Sequence, residues 1–73
     1  MKINTPQGTT RILGESQGYQ PLPIVDGHTP EGYPVMTSSW QPSPEELERL
    51  IAGAPIQVVI VGSMHPPIWV EIP

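Results

Sequence analysis

The chain predicts a small α+β domain: a small antiparallel sheet with one short helix packed on it, in the order β-β-β-α-β-β. Three observations carry this. A complete helix-start signal stands at Ser43–Glu46, just ahead of apolar residues at helical spacing. Short β-branched or alternating stretches, each bounded by turn residues, lie on either side of it. Eleven prolines and seven glycines favour short strands and turns over long helices.

Taken in order, Met1–Gly8 is polar, contains Pro6 and reads as a frayed end or a short edge strand. Thr9–Leu13 (TTRIL) is β-branched enough for a short strand, and Gly14–Gly18 is a polar link. Tyr19–Val25 (YQPLPIV) is apolar, but Pro21 and Pro23 remove two ladder donors, which confines it to an edge strand or a polyproline segment. Asp26–Gly32 (DGHTPEG) is the strongest turn stretch, and Tyr33–Ser39 (YPVMTSS) returns as a strand, so a hairpin is expected around it.

In the helix, Ser43 is placed as N-cap and Pro44 suits the first helical position. Glu46 stands at the capping-box position, and Glu45 joins it at the positive end of the dipole. Leu47, Leu50 and Ile51 form one apolar face, to be laid across the sheet. Gly53 supplies a left-handed closing residue and Pro55 prevents the helix from resuming. Beyond it, Ile56–Val61 (IQVVIV) reads as a central strand covered on both faces. Gly62–Pro67 is a turn, and Ile68–Ile72 (IWVEI) alternates, so the last two strands are expected to pair as an antiparallel hairpin.

Residues 1–73 make one small domain, a size at which a single core is marginal unless something staples it. With no cysteine, disulfides and thiolate metal sites are excluded, which leaves oligomerisation as the staple. The chain is therefore expected to be a homo-oligomer whose subunits share a core. Its net charge is −4, and Lys2, Arg11 and Arg49 are the only cations. Three scattered cations make no basic stripe, so long nucleic acid is an unfavourable partner. One or two phosphates on a small ligand remain within reach. The apolar run at Ile56–Val61 is too short to span a bilayer and the N-terminus lacks a signal-peptide core, so no membrane partner and a cytoplasmic location are expected.

The acidic cluster Glu45, Glu46 and Glu48 is explained by capping and the helix dipole rather than by acid–base chemistry. His28 and His65 lie in separate turns without further ligands at metal-site spacing, and Ser38, Ser39 and Ser63 lack a nucleophile elbow. No catalytic residue, metal or cofactor is assigned. Trp40, beside the helix start, either packs over it or presents a flat face to a planar ligand. In the second case it stacks on a base, Arg11 meets phosphate, and Thr37, Ser38, Ser39 and the His65 turn complete the pocket. Trp69, flanked by Ile68 and Val70 on the last strand, is the expected oligomer contact.

The run VMTSSWQPSPEELERLIAGAPI, followed by VGSMHPPI, resembles a pattern in small proteins of phages and prophage-bearing bacteria. The pattern reads W-x-P-(S/T)-x-E-E-L, then an Ala-Gly step, a strand, and G-x-x-H-P-P. The resemblance covers Val35–Ile72, about half the chain. In size, expected oligomerisation and aromatic placement the chain is similar to the phage sponges that sequester cyclic-nucleotide immune signals in anti-CBASS and anti-Thoeris counter-defence. That resemblance implies a non-catalytic homo-oligomer with a small nucleotide ligand. The alternative is a structural or protein-interaction module, a particle accessory or an inhibitor docking its Trp69 face on a host protein.

Overall fold

The computed structural model describes residues 1–73 as two small antiparallel sheets, one 3-10 turn, one α-helix and a C-terminal arm without regular structure. Strands β1 (Lys2–Asn4) and β5 (Ser39–Gln41) form a two-stranded ribbon. Strands β2 (Arg11–Leu13), β3 (Leu22–His28) and β4 (Pro34–Thr37) form a three-stranded sheet in that order. A 3-10 turn over Glu15–Gln17 links β2 to β3, flanked by Gly14 and Gly18 in left-handed conformations. Helix α1 (Pro44–Ile51) follows β5. The α+β class holds; the order of elements does not, because all five strands precede the helix.

The hairpin forms as expected, but its turn lies later than the Asp26-Gly27 pair. Asp26 and Gly27 run within β3, opposite Met36 and Val35 of β4. The chain reverses at Thr29–Tyr33. There the Gly32 N–H donates to the Thr29 carbonyl at 2.9 Å, the Thr29 N–H to the Tyr33 carbonyl at 2.8 Å, and Gly32 takes a φ of 92°. Strand β3 is also more than an edge strand. Its first half, Leu22–Ile24, pairs only with β2, and its second half, Val25–His28, only with β4. Pro23 therefore sits where the strand has a neighbour on one side, which is where a residue lacking an N–H is tolerated.

The helix follows its sequence signals closely. The Glu46 N–H donates to the Ser43 hydroxyl at 3.1 Å, and the Ser43 N–H to the Glu46 carboxylate at 2.9 Å, a reciprocal capping box. At the other end the Gly53 N–H reaches the Leu50 carbonyl and the Ala54 N–H the Arg49 carbonyl, with Gly53 at a φ of 99°. This is a Schellman closure. The helix does not lie across a sheet, however. Leu47 is 48% exposed and Ile51 80% exposed, and of the apolar face expected to be buried only Leu50 is part-covered.

Residues 54–73 carry no strand or helix. The expected central strand Ile56–Val61 and the last strand Ile68–Ile72 form no hairpin: Val61 is fully exposed and Trp69 63% exposed. Their pattern suits strands, but a strand exists only with a neighbour to pair with. The single copy supplies none. Only Pro23 and Ile24 are buried, and Ile24 is the whole apolar core.

Candidate functional site

The residues expected to form one ligand pocket are spread over three places. Arg11, on β2, is committed to Asp26 of β3. Its Nε donates to one carboxylate oxygen at 2.9 Å and its Nη2 to the other at 2.7 Å. The Thr10 hydroxyl donates to the same carboxylate at 2.6 Å and accepts from the Asp26 N–H at 2.9 Å. Hydrogen bonds from Arg11 first, and from Thr10 next, hold the Asp26 carboxyl down to about 2. The Arg11 guanidinium is shifted upward by the same pair. A phosphate at Arg11 would have to compete with this two-point contact, so Arg11 is first of all a cross-strand tie.

Thr37, Ser38, Ser39 and Trp40 lie together where the chain passes from β4 to β5. Thr37 is opposite Val25, Ser39 opposite Asn4 and Trp40 opposite Ile3. The Trp40 indole N–H donates to the Ser38 hydroxyl at 3.0 Å, which fixes the ring while leaving Trp40 47% exposed. Arg11 and Thr37 stand on the two outer strands of the three-stranded sheet, with β3 between them. His65 is remote in the chain from both, on the C-terminal arm. Its Nδ1 lies 2.8 Å from the Pro66 carbonyl, and since a carbonyl only accepts, that contact places the ring proton on Nδ1. Trp69 is on the same arm, with its indole N–H directed to Glu71 at 3.4 Å.

An open, shallow concavity lies elsewhere, between the β1–β5 ribbon and the first turns of α1. It measures about 530 Å³ and is lined by Met1 and Lys2 at the start of the chain, Gln41 at the end of β5, Ser43, and Glu46 and Arg49 on one face of the helix. A smaller recess of about 110 Å³ shares Glu46 and Arg49 and runs on towards Leu50, Pro55 and Ile56. The Met1 amine donates to the Glu46 carboxylate at 2.7 Å. That bond, then the Ser43 N–H, lowers the Glu46 carboxyl to about 2, so it stays ionised in the cleft.

Lys2 and Arg49 are thus two of the chain's three cationic side chains and share this one cleft. The two ion pairs of the structure, Met1–Glu46 and Arg11–Asp26, leave both of them without a carboxylate partner. Sequence reasoning missed this pairing. Glu46 and Arg49 are i, i+3 neighbours and so share a helix face, which is legible. The approach of Lys2 depends on β1 pairing with β5 nearly forty residues away, for which no local signal exists.

The ribbon also separates the cations from the indole. Lys2 pairs with Gln41, and Ile3 with Trp40, so strand alternation turns Trp40 to the face opposite Lys2 and Gln41. No helix is long and apolar enough to cross a membrane, and no group of three or more His, Cys, Asp or Glu residues could hold a metal ion. Comparison with family models finds no match, and neither do comparisons with curated proteins and with solved structures.

Proposed function

We propose that the chain is a non-catalytic, homo-oligomeric binder that sequesters a small phosphate-bearing nucleotide, in the manner of the phage sponges it resembles. The observation that carries this reading is the cleft of about 530 Å³ holding Lys2 and Arg49, neither neutralised by a side-chain carboxylate, in a chain of net charge −4. Two cations at one spot suit one or two phosphates and not a long backbone. Phosphate is therefore assigned to Lys2 and Arg49 in place of Arg11. Trp40 keeps its stacking role, and because its ring faces away from the cleft, base and phosphate are gripped by different copies meeting at an interface.

The test is calorimetric titration of nucleotide-free protein with cyclic mono- and dinucleotides, with inorganic phosphate as reference. Lys2→Ala and Arg49→Ala should each weaken binding by about tenfold or more, the scale of a charge-assisted hydrogen bond. Trp40→Ala should abolish binding while leaving the oligomer intact. Unchanged affinity in folded variants of Lys2 and Arg49 would remove the cleft from the reading. The second reading, a protein-interaction module, draws on the exposed Trp69 and its neighbours on the arm; it predicts no nucleotide binding at all.

A further inference from the structure

The arm, Pro55–Pro73, is the largest feature that the ligand cleft leaves unexplained. Its exposed residues include Val58, Val59, Val61, Met64, Trp69, Val70 and Ile72, and only Ile60 is part-covered. Both stretches have the composition of strands, yet neither has a strand beside it.

The amount of unmet surface indicates what covers it. A compact monomer of 8.0 kDa should expose about 4,500 Å². The single copy exposes 6533 Å², roughly 2,000 Å² beyond that scaling. Its radius of gyration is 14.0 Å, against about 11 Å for a compact domain of this length. Two copies that each hid their excess would bury about 4,000 Å² together, within the range of obligate homodimers and above that of transient contacts. The arm also carries a single formal charge, Glu71, and no Lys or Arg. Burial against another apolar surface leaves almost no charge to desolvate, whereas an anionic lipid or nucleic-acid surface would find no cation.

We infer that the arm, from Pro55 onward, is an exchange element handed to a second copy of this chain, where Ile56–Val61 and Ile68–Ile72 gain the strand neighbours they lack. Strand addition to a sheet edge is the mode: the ladder gives affinity and alternate side chains fill the partner's apolar surface. The exchange also covers the open helix face, Leu47 and Ile51, so that one event completes both the core and the sheet. This rests on the oligomeric half of the proposed function and is independent of which ligand is bound.

The experiment is sedimentation equilibrium on nucleotide-free full-length protein, alongside Val59→Lys and Val61→Lys variants. Both positions are exposed in a lone copy, at 87% and 100%, so a lysine there costs a monomer nothing. The expected result is a dimer whose dissociation constant rises at least a hundredfold in each variant. It should be accompanied by a wild-type melting temperature that climbs with protein concentration, as it must when association stabilises the fold. A wild-type monomer with a concentration-independent melting temperature would overturn the inference, pointing to an arm that folds back or is kept for a different protein. A dimer indifferent to both lysines would overturn it as well. Because ligand is absent throughout, failure here is separate from failure to bind nucleotide, which the Lys2 and Arg49 variants report.

Discussion

At the residue scale, a few polar side chains tie together segments that apolar packing leaves loose. Arg11 and Asp26 join β2 to β3 through two parallel hydrogen bonds, and Thr10 adds a third contact to the same carboxylate. The carboxyls of Asp26 and Glu46 are both held at about 2, below the ordinary carboxylate value near 4. A carboxyl depressed on folding contributes stability that is complete above its unfolded value and lost as pH falls through the folded one. Melting temperature should therefore decline as pH drops from about 4 towards 2. Asp26→Asn should melt lower than the wild type at neutral pH, decline less steeply in acid, and converge with it near pH 2 in a series of thermal melts. The pair is solvent-exposed, so 1 M salt should shrink the difference at neutral pH. A constant gap at every pH would assign the effect of the substitution to something other than ionisation.

At the scale of the element, α1 is the part most fully specified by its own residues. Both ends are closed: Ser43 and Glu46 satisfy N–H groups at the start, and Gly53 allows the closure that satisfies carbonyls at the end. Ser43→Ala should cost about 1 kcal/mol. In a domain of this size that lowers the melting temperature by about 4–8 °C, measurable by circular dichroism. Gly53→Ala places a Cβ on a residue with a φ of 99°, where the objection is backbone strain alone, since no neighbouring atom crowds the site. It should destabilise by about 1–2 kcal/mol. A neutral result at Gly53 would mean that the helix end can close in another way at no cost. The same helix presents Leu47 and Ile51 to solvent, and at eight residues its caps alone do not make it stable in water, so its apolar face needs a cover.

At the scale of the whole molecule, one copy is a set of well-made parts without a common interior. A core of Ile24 alone cannot offset the conformational entropy of ordering a chain this long. The arm exchange inferred above supplies the missing interior, and it makes protection of the arm a function of concentration. Chymotrypsin should cut after Trp69 quickly in nanomolar protein and slowly at high micromolar concentration, read by mass spectrometry of the fragments. Equal rates at both concentrations would mean that the arm is not an interface. Because the proposed ligand is gripped by two copies at once, nucleotide binding and association should fall together when the arm is disrupted.

The α+β class, the helix with both caps, and the β3–β4 hairpin were legible in the sequence because their signals are local. Ser43 and Glu46 are three residues apart, and the turn from Thr29 to Tyr33 closes on itself. Pairings across distance were not legible. The β1–β5 ribbon, the meeting of Lys2 with Arg49, and the claim of Asp26 on Arg11 join residues whose proximity is set by the path of the chain and not by spacing. The C-terminal stretches mark the boundary between the two kinds of information. Their periodicity says that they are fit to be strands, and the sequence by itself determined that much. Whether they become strands is a tertiary question, because backbone donors and acceptors need a partner and the single copy's sheets extend no ladder to them.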